Sequence, residues 1–374
     1  MSFRYAAGIN KPGFNPLGAQ TSSSTSTLFI WGYNNKGQLG LGNITDRSSP
    51  VQVGTLSEWL NVSAGYYSSA AVKTDGTLWT WGGNSVGTLG LGNTVDYSSP
   101  KQVGALTTWY KIAGLKYSYA AIKTDGTLWT WGYNLQGQLG LGNAISRSSP
   151  NQVGALTTWS DIAGLDVSMM AIKTDGTLWA WGNNTHGELG LGNTTSYSSP
   201  KQVGSLTSWL KIAGGTYASF AIKTDGTLWS WGWNSYLQGI LGLGNTTDYS
   251  SPKQVGVLTN WLYISAGNYH AISTKTDGTL WTWGGNSRGQ LGLGNTTNYS
   301  SPKQVGSLTT WLRVAGGAYS TATVKTDGTL WTWGKNDRSQ LGLGNTTYYS
   351  SPKQVGSLTT WSRPESGSFH CLGL

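Results

Sequence analysis

The sequence is poor in cysteine, in charge and in long apolar segments. One cysteine among 374 residues excludes an intrachain disulfide, and charged residues make up only 10% of the chain. No run of about 18 apolar residues occurs, so nothing in the sequence favours a membrane-spanning helix. The first residues also lack the continuous apolar segment of a signal peptide. We therefore expect neither membrane insertion nor a cleaved leader.

Residues that would carry chemistry are also scarce. The three histidines, His186, His270 and His370, lie far apart and have no Cys, Asp or Glu at metal-ligand spacing. No Gly-x-Ser-x-Gly motif is present, and the Gly-rich segment 37–42 lacks the Lys-Ser/Thr ending of a phosphate-binding loop. The sequence predicts a protein with no metal, no cofactor and no catalytic residue, and therefore not an enzyme.

Glycine and the large aromatic residues dominate instead. The chain has 55 Gly, 21 Trp and 19 Tyr, but only 5 Phe and 3 Met. This composition suits short strands joined by Gly-rich turns around a core of indole rings. No segment shows a convincing helical period. The expected fold class is all-β.

One unit of 50 residues is repeated along almost the whole chain. Three motifs each occur seven times: Trp-Gly, Leu-Gly-Leu-Gly-Asn and Ser-Ser-Pro. The Trp-Gly motifs are 50 residues apart except for one step of 52, and they begin at Trp31, Trp81, Trp131, Trp181, Trp231, Trp283 and Trp333. Seven copies of a strand-rich unit predict a seven-bladed β-propeller.

The unit that contains Trp131 shows how one blade is built. Ile112–Ile122 is predicted as a strand, Lys123–Gly126 as an Asp-Gly turn and Thr127–Trp131 as the returning strand. Two shorter extended pieces follow, around Gln152–Val153 and near Trp159. Four strands per unit correspond to one propeller blade.

The two ends of the chain complete the ring. Lys-Thr-Asp-Gly occurs six times rather than seven, and the missing copy falls between the two chain ends. We therefore expect Ser368–Leu374 to pair with Thr27–Trp31 in a blade that both ends share, which leaves no open sheet edge there. Residues 28–374 are predicted as the propeller and residues 1–27 as an extended arm that contacts a partner subunit.

The net charge of +9 comes largely from one recurrent lysine. It follows Ser-Ser-Pro in five repeats, at Lys101, Lys201, Lys253, Lys303 and Lys353. One lysine per repeat predicts a ring of solvated cations rather than a patch. A polyanion-binding ring remains the alternative, but nucleic acid is not the expected partner.

The unit resembles a known family. Its pattern W-x-x-I-A-G, A-I-K-T-D-G-T-L-W-T-W-G and G-Q-L-G-L-G-N is similar to the RCC1 repeat over residues 28–374. The resemblance implies a seven-bladed propeller whose last blade is shared by both termini. The family includes an exchange factor for the GTPase Ran that also binds chromatin, secreted bacterial inhibitors, and many bacterial and phage proteins. The near-identity of the copies, and the opening K-P-G-F-N-P-L, look most like the bacterial and tailed-phage members.

Comparison of the seven copies with one another indicates where a ligand would bind. Most positions are nearly constant, but two groups vary: the residues seven before the K-T-D-G turn, and those that follow Trp-Gly. Hairpin geometry places both groups at the propeller face opposite the K-T-D-G turns, which should form a monotonous face. The candidate binding residues are Tyr33, Lys36, Tyr66, Lys116, Tyr133, Asp166, His186, Trp233, Tyr236, Arg288, Lys335 and Arg338.

Aromatic residues and arginine are enriched at binding hot spots, although drift in exposed loops would also produce variation. The expected function is that of a structural or adhesive binding protein on a bacteriophage virion or an extracellular surface. In that role the arm contacts another virion or surface subunit, and the varied face contacts a host receptor or glycan. The alternative is a soluble protein-binding regulator: an exchange factor for a small GTPase, or an inhibitor of a secreted enzyme.

Overall fold

The computed structural model describes residues 26–55, 58–236 and 238–374. Every regular element in these ranges is a β-strand, and no helix there is long and apolar enough to cross a membrane. The strands form seven four-stranded sheets, each one blade of a ring. The predicted all-β, seven-bladed propeller is confirmed. Residues 1–25 of the predicted arm lie outside the described residues.

Both ends of the chain contribute to blade 1. It contains β1 (Phe29–Gly32), β2 (Arg47–Gln52), β27 (Pro364–Ser366) and β28 (His370–Gly373). Blades 2 to 4 contain β3 (Trp59–Ala64), β4 (Ser68–Lys73), β5 (Leu78–Gly82), β6 (Tyr97–Gln102), β7 (Trp109–Gly114), β8 (Ser118–Lys123), β9 (Leu128–Gly132), β10 (Arg147–Gln152), β11 (Trp159–Gly164), β12 (Ser168–Lys173), β13 (Leu178–Gly182) and β14 (Tyr197–Gln202).

Blades 5 to 7 follow the same plan. They contain β15 (Trp209–Gly214), β16 (Ala218–Lys223), β17 (Leu228–Gly232), β18 (Tyr249–Gln254), β19 (Trp261–Ala266), β20 (His270–Lys275), β21 (Leu280–Gly284), β22 (Tyr299–Gln304), β23 (Trp311–Gly316), β24 (Ser320–Lys325), β25 (Leu330–Gly334) and β26 (Tyr349–Gln354). In blades 2 to 7 the first strand lies nearest the propeller axis, and in blade 1 this position is held by β27. Each of these seven axial strands contacts the next one, so the contacts continue around the whole ring.

Blade 1 closes the ring as the sequence predicted. Strands β1 and β28 are antiparallel, and Phe29 pairs with Gly373 while Gly32 pairs with His370. Two strands from each end of the chain therefore make one sheet, in the order β2-β1-β28-β27. Closure removes the open edge that would otherwise be left between the first and last blades.

The prediction of one continuous strand over Ile112–Ile122 is wrong. The structure has two strands there, β7 and β8, joined by a tight turn in which the Leu115 N–H donates to the Ser118 carbonyl at 2.9 Å. An added Cβ at Gly114 would lie 2.9 Å from the Ala64 carbonyl oxygen of blade 2, so a glycine is needed where the blades crowd the axis. The extended piece near Trp159 consequently belongs to the next blade, where it opens the axial strand β11.

Tryptophans join neighbouring blades. Trp131 of blade 3 is fully buried and packs against Val72 and Leu78 of blade 2. Its indole Nε1 donates to the main-chain carbonyl of Thr88 in blade 2 at 2.9 Å. The same inter-blade bond recurs from Trp31, Trp81, Trp181, Trp231, Trp283 and Trp333.

A glycine of the repeated L-G-L-G-N motif makes this packing possible. Gly90 has a φ of +72°, and a Cβ added there would lie 2.7 Å from Nε1 of Trp131. Only glycine combines the left-handed backbone with room for the indole. The motif that resembled a phosphate-binding loop is therefore a turn that holds the next blade.

Candidate binding surface

The hairpin between the second and third strands of each blade brings the two varied groups to one end of the propeller. In blade 3, Ser118 pairs with Gly132, and the Tyr133 N–H donates to the Tyr117 carbonyl at 3.0 Å. The K-T-D-G turn lies at the opposite end, where Lys123 pairs with Trp109. All twelve candidate residues lie on the first of these faces, which is called the varied face below.

A constant asparagine supports each variable loop on this face. In blade 3, the buried Asn134 amide donates to the Asn143 carbonyl at 3.0 Å and its oxygen accepts the Leu139 N–H at 2.8 Å. The loop backbone is therefore fixed from below, and neighbouring side chains such as Leu135 are exposed to solvent. This arrangement presents different side chains on seven nearly identical supports.

The largest aromatic feature on the varied face crosses from blade 4 to blade 5. The His186 imidazole stacks on the Trp233 indole, with ring centroids 3.8 Å apart and planes 2° from parallel. Tyr236 stacks against the same indole at 4.9 Å, and Tyr217 meets it edge-on. The step of 52 residues adds two residues to this loop, and Tyr236 is 60% exposed. The structure thus places three of the predicted residues in one stack.

A second cluster lies where blades 7 and 1 meet. The Arg338 guanidinium lies 4.6 Å from the Tyr33 ring centroid, and Tyr33 contacts the Phe369 ring edge-on. Lys335 forms a salt bridge with Asp337 at 3.1 Å. A guanidinium over a ring is a cation–π arrangement that keeps its N–H groups available to a ligand.

A third cluster lies at the mouth of the axial channel. Lys116 of blade 3 forms a 3.1 Å salt bridge with Asp166 of blade 4, and its ammonium lies 5.3 Å from the Tyr66 ring centroid. Burial lowers the pKa of Lys116, but the Asp166 carboxylate more than offsets this, so the net shift is upward. These side chains line a cavity of about 110 Å³ on the axis. The space suits a single side chain or a few waters.

The remaining candidate residues form further contacts on this face. Lys36 forms a salt bridge with Asp96 of the neighbouring blade at 3.3 Å, and Arg288 lies 6.0 Å from the Tyr348 ring. Tyr133 contacts Tyr117 edge-on, and Lys36 lines a small cavity that Lys116 also lines. The twelve residues therefore form a broad surface rather than one pocket.

Sequence comparison missed an aromatic position that underlies the varied face. The residue after each axial turn is aromatic in six of the seven blades: Tyr67, Tyr117, Val167, Tyr217, Tyr269, Tyr319 and Phe369. All of them are half-buried, and neighbouring rings contact each other, as in the stacked pair Tyr269 and Tyr319. This position is nearly constant among the repeats, so a comparison that looked for variable positions did not select it. These rings form an apolar base beneath the varied side chains.

A buried acid lies beneath the stack. Glu188 occupies the position that holds Gln in four other repeats, and its Oε2 accepts the His186 N–H at 2.8 Å. Its Oε1 is buried and accepts no hydrogen bond from any of the described residues. Burial raises the pKa of Glu188, and the backbone N–H groups of Glu188 and His186 only partly oppose this. Because the Glu188 side chain holds the loop that carries His186, the protonation of this acid affects that loop.

The K-T-D-G face is held together by short-range contacts. Thr127 donates its N–H and hydroxyl to Asp125 at 2.9 and 2.7 Å, and these hydrogen bonds lower the pKa of Asp125. Lys123 does not pair with Asp125; its ammonium lies 3.7 Å from the Trp129 ring centroid. The turn aspartates are thus turn acceptors. In the ranges that the structure describes, no three His, Cys, Asp or Glu side chains converge in a way that could hold a metal ion.

The prediction that this face is monotonous is wrong at its centre. The turns repeat as expected, but the axial strands bring a different residue from each blade to the centre, including Lys111, Asp161 and Lys211. Their positions, two residues after the first Trp of each axial strand, form a third varied group that the sequence comparison did not consider.

Comparison with known proteins supports the fold along nearly the whole chain. The structure of Prp20p from Saccharomyces cerevisiae superposes with a TM-score of 0.83 at 20% identity, covering 94% of this chain and 92% of that one. Human WBSCR16 gives a TM-score of 0.81 at 20% identity, covering 93% and 98%. Yeast Prp20 in a complex with Kap60 gives 0.84 at 19% identity, covering 100% and 95%. No curated protein sequence matches this chain.

The sequence itself matches a family model in seven consecutive segments. That model describes the Regulator of chromosome condensation (RCC1) repeat, and it matches residues 26–72, 75–114, 125–164, 175–222, 225–273, 277–324 and 327–374. A second model with the same description matches residues 59–88, 209–238 and 262–290. The segments follow the seven repeats around the ring. The chain therefore belongs to the RCC1 repeat family.

Proposed function

We propose that this chain is a non-catalytic regulator that binds a partner protein through its varied face. The observation that carries the proposal is the stack of His186, Trp233 and Tyr236. Large rings held in one orientation lose little conformational entropy on binding, and Trp and Tyr are enriched at hot spots. Tyr236 is largely exposed, and Nε1 of Trp233 donates to the neighbouring Ser235 hydroxyl at 3.1 Å.

The charges elsewhere on the varied face suit a protein surface. Lys36, Lys116 and Lys335 are each neutralised by an aspartate, while Arg288 and Arg338 lie over tyrosine rings without a salt bridge in the described part of the chain. Arginine is the cation most often found at hot spots. A balanced, aromatic face with two free guanidinium groups matches a protein interface better than a nucleic-acid backbone, which needs many unpaired cations.

The relatives support the same class of function. One solved structure is described with the binding properties of Prp20p to Gsp1p and histones, and another shows Prp20 bound to Kap60. We propose, as the finer form, that this chain is a guanine-nucleotide exchange factor for a small GTPase. The virion or extracellular-surface role, with the arm on another subunit and a host receptor or glycan on the varied face, stays a prediction. So does an inhibitor of a secreted enzyme.

Photo-crosslinking can test which face binds. A photoreactive phenylalanine analogue is placed at Tyr236 on the varied face, or at Thr124 on a K-T-D-G turn as the matched control. Both positions are exposed. In extracts of the source cells, position 236 should yield a discrete adduct and position 124 should not. Equal adducts from both positions would contradict the proposal.

Nucleotide release tests the finer form separately. Purified Gsp1p loaded with a fluorescent GDP analogue is mixed with the intact chain, and the release rate is compared with that in the presence of a Trp233→Ala, Tyr236→Ala variant. Acceleration by the intact chain alone would support exchange activity. No acceleration, together with a specific adduct at position 236, would exclude exchange on this GTPase and leave the binding role standing.

A further inference from the structure

The centre of the K-T-D-G face carries a ring of polar side chains that belongs to no site described above. They lie two residues after the first Trp of each axial strand. The seven positions are Asn61, Lys111, Asp161, Lys211, Tyr263, Arg313 and Arg363. Because that first Trp pairs with the lysine of the K-T-D-G turn, as Trp109 does with Lys123, the ring lies at this end of the axis.

The central ring is joined by contacts between blades. Lys111 of blade 3 forms a salt bridge with Asp161 of blade 4. The Tyr263 ring lies between two cations, with the Lys211 ammonium 3.9 Å and the Arg313 guanidinium 4.2 Å from its centroid. These three side chains come from blades 5, 6 and 7, so the arrangement requires three neighbouring blades to pack together.

Positive charge exceeds negative charge at this point. The ring supplies four cations, and Asp161 neutralises Lys111, while Arg363, which immediately precedes β27, pairs at 3.2 Å with Glu365 in that strand. In the described part of the chain neither Lys211 nor Arg313 takes part in a salt bridge. Burial, and secondarily Arg313, lowers the pKa of Lys211 to about 8, with Asp161 opposing. An added anion would relieve this crowding of like charge.

The surroundings of the ring carry no comparable excess of positive charge. Six turn aspartates stand exposed around it: Asp75, Asp125, Asp175, Asp225, Asp277 and Asp327. Each of them attracts the lysine of its own turn, which lies over indole rings. The face therefore has a basic centre within a rim in which the lysine and aspartate charges balance. The centre attracts a single anionic group on the axis, whereas the rim adds little attraction for a polyanion spread across the face.

We propose that this basic centre is a second binding site, which takes one acidic side chain from the tip of a loop of a partner protein. A carboxylate suits the planar guanidinium of Arg313, which presents paired N–H donors, with the Lys211 ammonium on the other side of Tyr263. Neutral or basic residues flanking the acidic tip would be compatible with the exposed aspartates of the rim. The site lies on the face opposite the varied face, so one chain could hold two partners at once.

Peptide binding to the full chain tests the proposal. The probe is a fluorescein-labelled peptide with a central Glu flanked by Gly and Lys, and its control has Gln in place of Glu. We expect the Glu peptide to bind at least about tenfold more tightly, as a charge-assisted contact requires. The variant Lys211→Gln, Arg313→Gln should lose that difference. The matched variant Lys101→Gln, Lys201→Gln removes the same charge from exposed outer strands and should keep it.

Three results would overturn the proposal: equal affinity for both peptides, equal loss in both double variants, or a single-stranded oligonucleotide that displaces the Glu peptide. If the central variant does not fold, the unmodified chain provides the readout. At pH 8 a large fraction of Lys211 is neutral, so it should react with an acylating reagent ahead of other lysines. The Glu peptide should slow this acylation and the Gln peptide should not; no protection would also contradict the site.

Discussion

The Trp31 indole donates a hydrogen bond of 2.9 Å to the main-chain carbonyl of Gln340, 309 residues away in the sequence. The bond is buried, and it crosses from blade 7 to blade 1, where the two ends of the chain meet. The same bond joins every other pair of neighbouring blades. The closing junction is therefore built like the six internal ones, and both propeller faces depend on it.

Removal of one inter-blade indole should destabilise the whole ring. Trp131→Ala is expected to lower the free energy of unfolding by about 3–5 kcal/mol, because a fully buried ring and its hydrogen bond to Thr88 are lost. Urea denaturation followed by tryptophan fluorescence measures the change. The exposed Tyr236→Ala is the control and should cost under about 0.5 kcal/mol. A loss under about 1 kcal/mol for Trp131→Ala would show that the indole is not part of the core.

Alanine substitutions at two glycines can distinguish the cost of backbone strain from the cost of a steric clash, because the two glycines have similar backbone conformations. Gly90 and Gly104 have φ values of +72° and +61°, but an added Cβ meets Trp131 at Gly90 and nothing within 4 Å at Gly104. Gly104→Ala should cost about 1–2 kcal/mol from backbone strain alone. Gly90→Ala should cost about 1–3 kcal/mol more, because the indole must shift. Equal losses in chemical denaturation would refute the proposed contact.

Two buried histidines should make the fold sensitive to acid. Burial lowers the pKa of His270 to about 3 and that of His370 to about 4, from an ordinary value of 6.5. Their Nε2 atoms contact the hydroxyls of Thr321 and Ser69 at 2.8 Å, and neither Nδ1 atom has a hydrogen-bond partner in the part of the chain that the structure describes. The unfolded chain therefore binds protons first, and stability that is present above about pH 6.5 is lost as pH falls toward 3–4.

Between pH 7 and pH 5 each histidine should account for a loss of about 2 kcal/mol in unfolding free energy. The variant His270→Gln, His370→Gln keeps a side-chain N–H donor at each position, and its unfolding free energy should depend less on pH. The variant His186→Gln changes a histidine on the varied face and should keep most of the pH dependence. The measurement is the denaturant midpoint at pH 7 and at pH 5. If the difference between the two midpoints is the same in the double variant as in the native chain, the acid sensitivity arises from other groups.

Glu188 should act in the opposite direction. Because burial raises its pKa, the folded state favours the protonated acid, and the stability it contributes at low pH is lost as pH rises through that pKa. Glu188→Gln should therefore raise the melting temperature at pH 8 and have little effect at pH 4. Glu58→Gln, at an exposed site, is the control. A variant that melts lower at pH 8 would contradict the assignment.

The sequence was sufficient for the architecture because each repeat carries its own markers. The spacing from Trp31 to Trp333 gives the number of blades, and the missing K-T-D-G turn locates the closing blade. The axial turn was missed because Gly114 interrupts a run of small residues without a strong turn signal. Contacts within one blade follow from local spacing, and these were predicted well.

The particular side-chain pairs between blades were not predicted, because sequence spacing does not show which side chains face each other across a junction. Trp233 and Tyr236 were singled out, but their stacking with His186 of the preceding blade was not. The binding role of the twelve candidate residues stays a prediction; their common face is a structural fact.

The most direct test of the varied face measures binding and folding in the same protein. A photoreactive analogue is placed at the exposed Leu135, and the adduct yield is compared between the otherwise native chain and the variant Trp233→Ala, Tyr236→Ala. We predict that the double variant loses the adduct while its melting temperature stays unchanged. An adduct that persists, or one that disappears only because the chain unfolds, would contradict the account.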